Sequence, residues 1–262
     1  MSIEILIQLA FFAFFAGLID AAVGGGGLIQ IPALMNIFTE KSAATIFGTN
    51  KLVAIFGTAS ATRSYLKKVS LDWKFIIPIL IAAFLFSFLG AMVVSYIPRK
   101  IMQPIVLVLL ILIAIYTFIR KDFGATHKPI IITTKYKILA IVFGSLIGFY
   151  DGVFGPGTGS FLIFIFIKFF AFDFLHASTA SKIINLGTNM AALVYFAPTG
   201  NILVGAAVIM IVFNVIGSIT GTHVALKYGS KLIRVLFLIL LVILIGKMGL
   251  NTFNSLFNPS IG

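Results

Sequence analysis

Residues 17–27 read Gly-Leu-Ile-Asp-Ala-Ala-Val-Gly-Gly-Gly-Gly, and residues 148–160 read Gly-Phe-Tyr-Asp-Gly-Val-Phe-Gly-Pro-Gly-Thr-Gly-Ser. Each stretch ends a long apolar segment in which a single aspartate stands. Neither four consecutive glycines nor Gly-Pro-Gly-Thr-Gly can continue a regular helix. The two stretches therefore predict two helices that break at their glycines.

The composition around these stretches is that of a membrane protein. The chain has 262 residues, of which 60% are hydrophobic and 10% are charged, and its mean hydropathy is +1.16. A soluble domain of this length would have too little polar surface to face water, whereas a bilayer accepts helices of roughly 20 apolar residues. Apolar stretches lie at 4–23, 27–38, 43–66, 75–97, 103–119, 138–154, 159–171, 175–196, 202–226 and 232–250. We predict an all-α polytopic membrane protein with about eight transmembrane helices.

Several classes of protein and site are excluded by what the sequence lacks. The first segment has no basic leading region, so we do not expect a cleaved signal peptide. The absence of cysteine excludes disulfides and thiolate metal sites. The formal charge of +12 does not indicate nucleic acid, because the basic residues lie between apolar segments, as in loops beside anionic lipid. We expect no metal and no cofactor.

The chain repeats on itself at an offset of 131 residues. Gly24 corresponds to Gly155, and the rare ionisable residues also match, with Asp20 opposite Asp151 and Lys51 opposite Lys182. Internal repeats of this kind are typical of transporter folds. We therefore predict a single transmembrane domain, 1–262, composed of repeats 1–131 and 132–262.

The loop charges indicate how the two repeats are oriented. If region 4–38 crosses the membrane once, the repeats are parallel and the loop Lys and Arg divide 9 against 7 between the two sides. If that region enters and returns, the repeats are inverted and the division is 12 against 4. The second division obeys the positive-inside rule far better. It predicts inverted repeats, with both termini outside and the 120–137 linker in the cytoplasm.

The segments that follow the glycine breaks, 28–38 and 159–171, are too short to span as helices by themselves. We interpret them as half-helices beside a cavity, because broken backbone at membrane depth is tolerated where it is buried in protein or lines wet space. Their N-termini, near Gly25, Gly26, Gly157 and Thr158, would offer free N–H groups to an anion. The alternative is close helix packing through small residues.

The carboxylates of Asp20 and Asp151 are costly inside a membrane segment, so they are expected to be paired or functional. One interpretation is a static role, in which each carboxylate accepts hydrogen bonds from the N–H groups of its own glycine loop. The other interpretation is that they carry a coupled proton.

A third group of candidate residues is Gly48-Thr49-Asn50-Lys51, which corresponds to Thr179-Ala180-Ser181-Lys182 at the repeat offset. Each lysine lies about 22 Å of helix from the C-terminal end of its segment, which is beyond snorkelling range. The other end is nearer, so snorkelling toward it stays open. In inverted repeats the two lysines would meet near the midplane and bind an anion, together with Thr49, Asn50, Ser181 and Asn189. The alternative is an ion pair within each repeat, Lys51 with Asp20 and Lys182 with Asp151. The anion contact and the ion pair can each form at a different stage of a transport cycle.

These residues carry a resemblance to a known family. The stretch from Gly17 to Ile29, followed by Ile31-Pro32-Ala-Leu, is similar to the first signature of the TauE/SafE family of sulfite exporters and toluenesulfonate uptake permeases, and the stretch from Gly148 resembles the second. The chain is most similar to the YfcA-like branch. The resemblance implies a multi-pass permease of the bacterial cytoplasmic (inner) membrane for small anions, typically sulfite or an organosulfonate.

The leading hypothesis is thus a secondary transporter for a small anion, which works by alternating access around a midplane site. No P-loop is present, so protons or sodium are the expected coupling ions. A passive anion channel would use the same residues. An enzyme is disfavoured because the histidines are isolated and the deep carboxylates number two, and a scaffold would leave the buried Asp and Lys unexplained. The sequence leaves homo-oligomerisation open.

Overall fold

The computed structural model describes residues 1–119 and 133–228, with residues 239, 242–243, 245–246 and 249–250 in helical conformation. Between 1 and 228 the described residues form helices and short connections without a strand. The helices are α1 (Ile3–Val23), α2 (Gly27–Ile37), α3 (Ala43–Leu66), α4 (Trp73–Val94), α5 (Arg99–Ile119), α6 (Thr134–Val153), α7 (Thr158–Phe170), α8 (Phe174–Phe196) and α9 (Val204–Tyr228). The all-α prediction is confirmed.

Four of these helices are long and apolar enough to cross a membrane: Ile3–Val23, Trp73–Val94, Thr134–Val153 and Val204–Lys227. The half-helices are also present, because α2 has 11 residues and α7 has 13. The 24 residues of α3 and the 23 of α8 have sufficient length to span, but these two helices are more polar since they carry the candidate site. The predicted segment 232–250 lies mostly outside the described residues.

The predicted boundaries of several segments were wrong by a few residues, for local reasons; the segment predicted at 138–154, for example, is a helix over 134–153. The segment predicted at 75–97 is a helix over 73–94, because the carboxylate of Asp72 accepts a hydrogen bond of 2.9 Å from Lys74 N and caps the helix there. The segment predicted at 103–119 begins instead at Arg99. A search for apolar residues misses the start of a helix when the first turn of that helix is polar.

The first two helices form a hairpin that returns to the side where it began. The side chain of Met1 lies near Gly205, at the start of α9. Thr45, in the first turn of α3, donates a hydrogen bond of 3.2 Å to the side chain of Asn201, just before α9. Hence α1, α3 and α9 begin on one side. Only residues 38–42 join α2 to α3, so α2 ends on that side too.

Arg99 fastens the returning end of this hairpin. Its guanidinium donates to the carbonyl oxygens of Met35 at 2.5 Å and Phe38 at 2.9 Å, and also to that of Lys41. These are carbonyl groups at and beyond the end of α2, where the helix leaves its acceptors unsatisfied. Arg99 thereby holds the end of the half-helix against the connection between α4 and α5.

The two halves run in opposite directions. Gly48, early in α3, lies against Phe196 at the end of α8, whereas Leu175, at the start of α8, packs on the cluster of Ala21, Ala61 and Tyr65 that contains the end of α3. The corresponding helices α3 and α8 are therefore antiparallel, as inverted repeats require. The boundary predicted at 131/132 adjoins residues outside those described, so it stays a prediction, as does the assignment of the whole chain to a single domain.

The helices of each half also pack on helices of the other half. The most extensive helix contacts join α1 to α9 and α4 to α6, so the first helix of each half packs on the fourth helix of the other. Glycines permit the close approach: a side chain on Gly17 would overlap the backbone of Asn214, and one on Gly148 would overlap the backbone of Ala83. Small residues at such crossings are typical of membrane helices.

Candidate functional site

The two broken segments meet backbone to backbone in the middle of the protein. Ser160 N donates to the carbonyl oxygen of Gly24 at 3.1 Å, and Ser160 Oγ donates to that of Val23 at 2.6 Å. Gly24 has a φ of +78°, and a Cβ on either Gly24 or Gly159 would overlap the backbone of the other. Both the conformation and the space therefore require glycine at this crossing.

The carbonyl groups left over at the end of α1 have partners from other elements. The carbonyl oxygen of Ala21 accepts from the hydroxyl of Tyr65 at 2.9 Å. That of Asp20 accepts from Gly24 N at 2.9 Å and from the ammonium group of Lys182. A helix can end inside a membrane protein when its last carbonyl groups are satisfied in this way.

Two ion pairs, one fully and one partly buried, join the halves crosswise. Lys51 Nζ lies 2.7 Å from Asp151 Oδ2, with both side chains 1% exposed. Lys182 Nζ lies 3.0 Å from Asp20 Oδ2. The alternative of pairs within each repeat, Lys51 with Asp20 and Lys182 with Asp151, is wrong. The exchanged packing of α1 with α9 and of α4 with α6 turns each aspartate toward the opposite half.

The aspartates do not cap their own glycine loops. Among the described residues, the donors to the two carboxylates are the lysine ammonium groups and the hydroxyl of Thr58, which lies 3.2 Å from Asp20 Oδ2. The amides of Gly24 and Gly155 donate instead to the main-chain oxygens of Asp20 and Tyr150. The static interpretation with loop capping was therefore wrong about the donors.

Several backbone N–H groups at the starts of the half-helices already donate hydrogen bonds within the protein. In α2, Leu28 N donates to Gly25 O at 3.0 Å, while Ile29 N and Gln30 N both donate to Gly26 O. In α7, Thr158 N donates to Gly155 O at 3.3 Å. The expectation of free N–H groups is wrong for these amides, because the glycine loops wind into short turns that supply acceptors. The amides of Gly25, Gly26 and Gly157 donate no hydrogen bond within the described part of the chain, so for them the expectation stays a prediction.

A small cavity of about 20 Å³ lies beside this crossing and is partly open to solvent; it has room for roughly one water molecule. The residues that line it come from both halves, and one of them, Asn214, lies in α9. The lining consists of Asp20, Gly24, Gly26, Gly27, Gln30, Asn50, Lys51, Ala54, Thr58, Asp151, Gly155, Gly159, Asn185, Asn189 and Asn214. The set is polar, with one lysine, two carboxylates and five side-chain amides.

The structure brings half of the predicted site residues to this cavity. Those that line it are Lys51, Asn50, Gly26, Asn189, Asp20 and Asp151. Those outside the lining are Lys182, Thr49, Ser181, Gly25, Gly157 and Thr158.

Three of the predicted residues outside the lining form hydrogen bonds with the backbone of the protein. Thr49 Oγ1 donates to Thr45 O at 2.7 Å and accepts from Leu203 N at 2.9 Å. Ser181 Oγ donates to Gly159 O at 2.9 Å, and Thr158 Oγ1 donates to Gly155 O at 2.9 Å. These hydroxyl groups fasten helices rather than face the cavity.

Sequence reasoning missed three lining residues of note: Gln30, Thr58 and Asn214. Gln30 is a lone polar residue in the apolar stretch from Leu28 to Met35, and Asn214 is a lone amide in apolar α9. An isolated polar residue within a membrane segment is a signal for a functional position, and it could have identified both.

Comparison with known proteins agrees with this architecture. The family described as sulfite exporter TauE/SafE matches residues 9–248, which is nearly the whole chain. The chain belongs to the TauE/SafE family. It is therefore a multi-pass membrane protein of the kind that bacteria carry in the cytoplasmic membrane, as the resemblance implied.

Individual TauE/SafE relatives cover the chain almost completely. "Probable membrane transporter protein ORF9" of Sinorhizobium sp is 34% identical over 244 residues, which is 93% of this chain and 92% of the relative. "Probable membrane transporter protein YfcA" of Escherichia coli (strain K12) is 33% identical over 244 residues, with 92% and 88% covered. A "Probable membrane transporter protein" of Haemophilus influenzae is 32% identical over 252 residues, with 95% and 96% covered. No solved structure matches the chain significantly.

Proposed function

We propose that this protein is a secondary transporter for a small anion, and that the cavity at the crossing of the two broken segments is its solute site. The relatives named as membrane transporters support transport. The family description, which names sulfite, supports a sulfur oxyanion or an organosulfonate as the solute.

The observation that carries the proposal is the position of Lys51. Its ammonium group is buried and lines a polar cavity in a protein that is otherwise apolar. A buried cation of this kind is costly unless it is paired, and in this conformation its partner is Asp151. An anion that enters the cavity can replace the carboxylate at Lys51, with Asn50 and Asn189 as further polar contacts.

Replacement of the carboxylate suggests how transport is coupled. When the solute takes the place of Asp151 at Lys51, the buried carboxylate would remain without its counter-charge. A proton or a sodium ion that moves with the anion would neutralise it, so that neither charge is left unpaired in the interior. Asp151 is then the coupling residue, and Asp20 has the corresponding position in the other half.

The inverted arrangement supplies the route between the two faces. In transporters with inverted repeats, one repeat moves against the other around a fixed site. An exchange of conformations between the halves would bring Lys182 toward the cavity in place of Lys51. The two crosswise ion pairs would then open in turn, one in each state.

The test is uptake of sulfite into proteoliposomes that contain the purified protein, with and without a pH gradient and with and without a sodium gradient. We expect saturable uptake that one of these gradients accelerates. Lys51→Ala should abolish it, whereas Lys100→Ala, which removes an exposed lysine, should not change it. Asp151→Asn should retain binding and lose the response to the gradient.

Two results would contradict the proposal. Saturable uptake that survives unchanged in a folded Lys51→Ala variant would remove the site. An electrical conductance that rises linearly with sulfite and does not respond to either gradient would indicate the passive anion channel instead.

A further inference from the structure

Gln30 has an unusual position for an amide side chain. It lies in the first turn of α2, it is 2% exposed, and it lines the same cavity as Lys51. Its Nε2 has no hydrogen-bond partner among the residues that the structure describes. A buried amide without a partner costs free energy, since it loses its bonds to water and gains none in return.

Two residues of the cavity wall have a buried polar atom without a partner in the described part of the chain. Among the described residues, four buried side-chain atoms have no hydrogen-bond partner: Gln30 Nε2, Asn50 Oδ1, Ser178 Oγ and Thr222 Oγ1. Two of the four belong to residues that line the cavity. One of these, Asn50, is adjacent in the chain to Lys51. Unsatisfied polar atoms in a native protein call for an explanation. Gln30 Nε2 is a donor, and an anion bound in the cavity would supply its acceptor, whereas Asn50 Oδ1 is itself an acceptor that an anion leaves unpaired.

The fold itself does not require an amide at this position. The residue that corresponds to Gln30 in the second half, at the repeat offset, is Phe161, which packs among apolar residues. The first turn of a half-helix in this architecture is therefore compatible with an apolar side chain. Asn50 differs likewise from its counterpart Ser181, whose hydroxyl is already bonded to Gly159 O.

We propose that Gln30 binds the solute and determines specificity, by donating a hydrogen bond from its amide to an oxygen atom of an oxyanion whose charge is balanced by Lys51. This inference rests on the proposed function and adds a residue that recognises the solute. An ammonium group attracts any small anion, whereas an amide donor selects an acceptor oxygen in a defined direction.

The main test variant is Gln30→Met, which has nearly the same length and shape but no donor. A solute-binding role and a structural role predict opposite results for it. If Gln30 serves the solute, removal of an unsatisfied amide leaves the melting temperature of the solute-free protein unchanged or raises it. The KM for sulfite should rise at least about tenfold, as for the loss of a hydrogen bond to a charged group, with little change in the maximal rate.

The controls use positions outside the cavity. Phe161→Met places the same side chain at the corresponding position of the second half, and Gln8→Met removes an amide that bonds Glu4 near the start of α1. Neither should change the KM for sulfite. Gln30→Glu keeps the shape and adds a negative charge, so it should raise the KM further than Gln30→Met does.

The outcomes separate this inference from the proposed function. A wild-type protein without saturable sulfite uptake would overturn both. Wild-type uptake with an unchanged KM in Gln30→Met would overturn the role of Gln30 alone. A large fall in the melting temperature of both Gln30 variants would also overturn it, since it would show that the amide serves the fold.

Discussion

Lys51 pairs with Asp151 across the boundary between the halves, at 2.7 Å, although Asp20 belongs to its own half. The reciprocal pair of Lys182 with Asp20 makes the same exchange. Each half thus supplies the counter-charge for the lysine of the other, and neither half can bury its ionisable residues alone. The pairs connect the fold to the site, because three of the four paired residues, Lys51, Asp151 and Asp20, also line the cavity.

The crosswise pairing predicts a specific pattern of stability in double variants. Lys51→Met alone should cost roughly 3–5 kcal/mol, because it leaves Asp151 buried without a partner. Lys51→Met with Asp151→Asn should recover much of that loss. The matched control, Lys51→Met with Asp20→Asn, removes one partner from each pair and should recover none. Thermal unfolding in detergent measures all four proteins, and equal recovery in both double variants would refute the pairing.

The glycine crossing predicts unequal effects for two glycines with similar backbone angles. Gly24 has a φ of +78° and lies against Gly159, whereas Gly200 has a φ of +72° with nothing within 4 Å of a Cβ. Gly200→Ala should therefore cost about 1–2 kcal/mol of backbone strain. Gly24→Ala adds an overlap with backbone and should prevent folding or cost several kcal/mol. Monodisperse yield and melting temperature compare the two; equal losses would contradict the close crossing.

Antiparallel halves predict which loops face the same side of the membrane. Thr39, between α2 and α3, and Thr199, between α8 and α9, are exposed on the side where α1 begins. Ser70, after α3, and Thr133, before α6, are exposed on the other. Single cysteines can be placed without background, since the native chain has none.

In intact cells an impermeant maleimide should label Thr39→Cys and Thr199→Cys, because the loop charges predict that this side is outside. Labelling of Ser70→Cys and Thr133→Cys should require permeabilised cells. A label on Thr39→Cys but not on Thr199→Cys in intact cells would contradict the inverted arrangement.

The contacts of Arg99 predict that it stabilises the half-helix α2. Arg99→Ala removes the bonds to Met35 O, Phe38 O and Lys41 O, and we expect a loss of about 2–3 kcal/mol. Arg99→Lys should restore a part, because an ammonium group lacks the planar fork of guanidinium. The adjacent Lys100→Ala is the control and should change the melting temperature little. Hydrogen exchange at residues 35–38 should increase in Arg99→Ala, and unchanged exchange there would contradict this role.

Much of the fold followed from local sequence. Apolar length and composition indicate membrane helices under any arrangement, and the runs at 24–27 and 155–159 break a helix wherever they lie. The offset of 131 residues pairs Asp20 with Asp151 and Lys51 with Lys182. The sequence by itself thus determined the class of protein, the positions of the two half-helices and which charged residues the interior must accommodate.

The partner of each charge was decided by the tertiary structure. A repeat shows which residues correspond, but correspondence does not show which residues touch. The packing of α1 on α9 and of α4 on α6 exchanges elements between the halves, and this exchange directs Asp20 to Lys182. The same packing left Lys182 outside the cavity and placed Gln30 in its wall. Contacts of this kind depend on distances between residues far apart in the chain, and helix periodicity does not encode them.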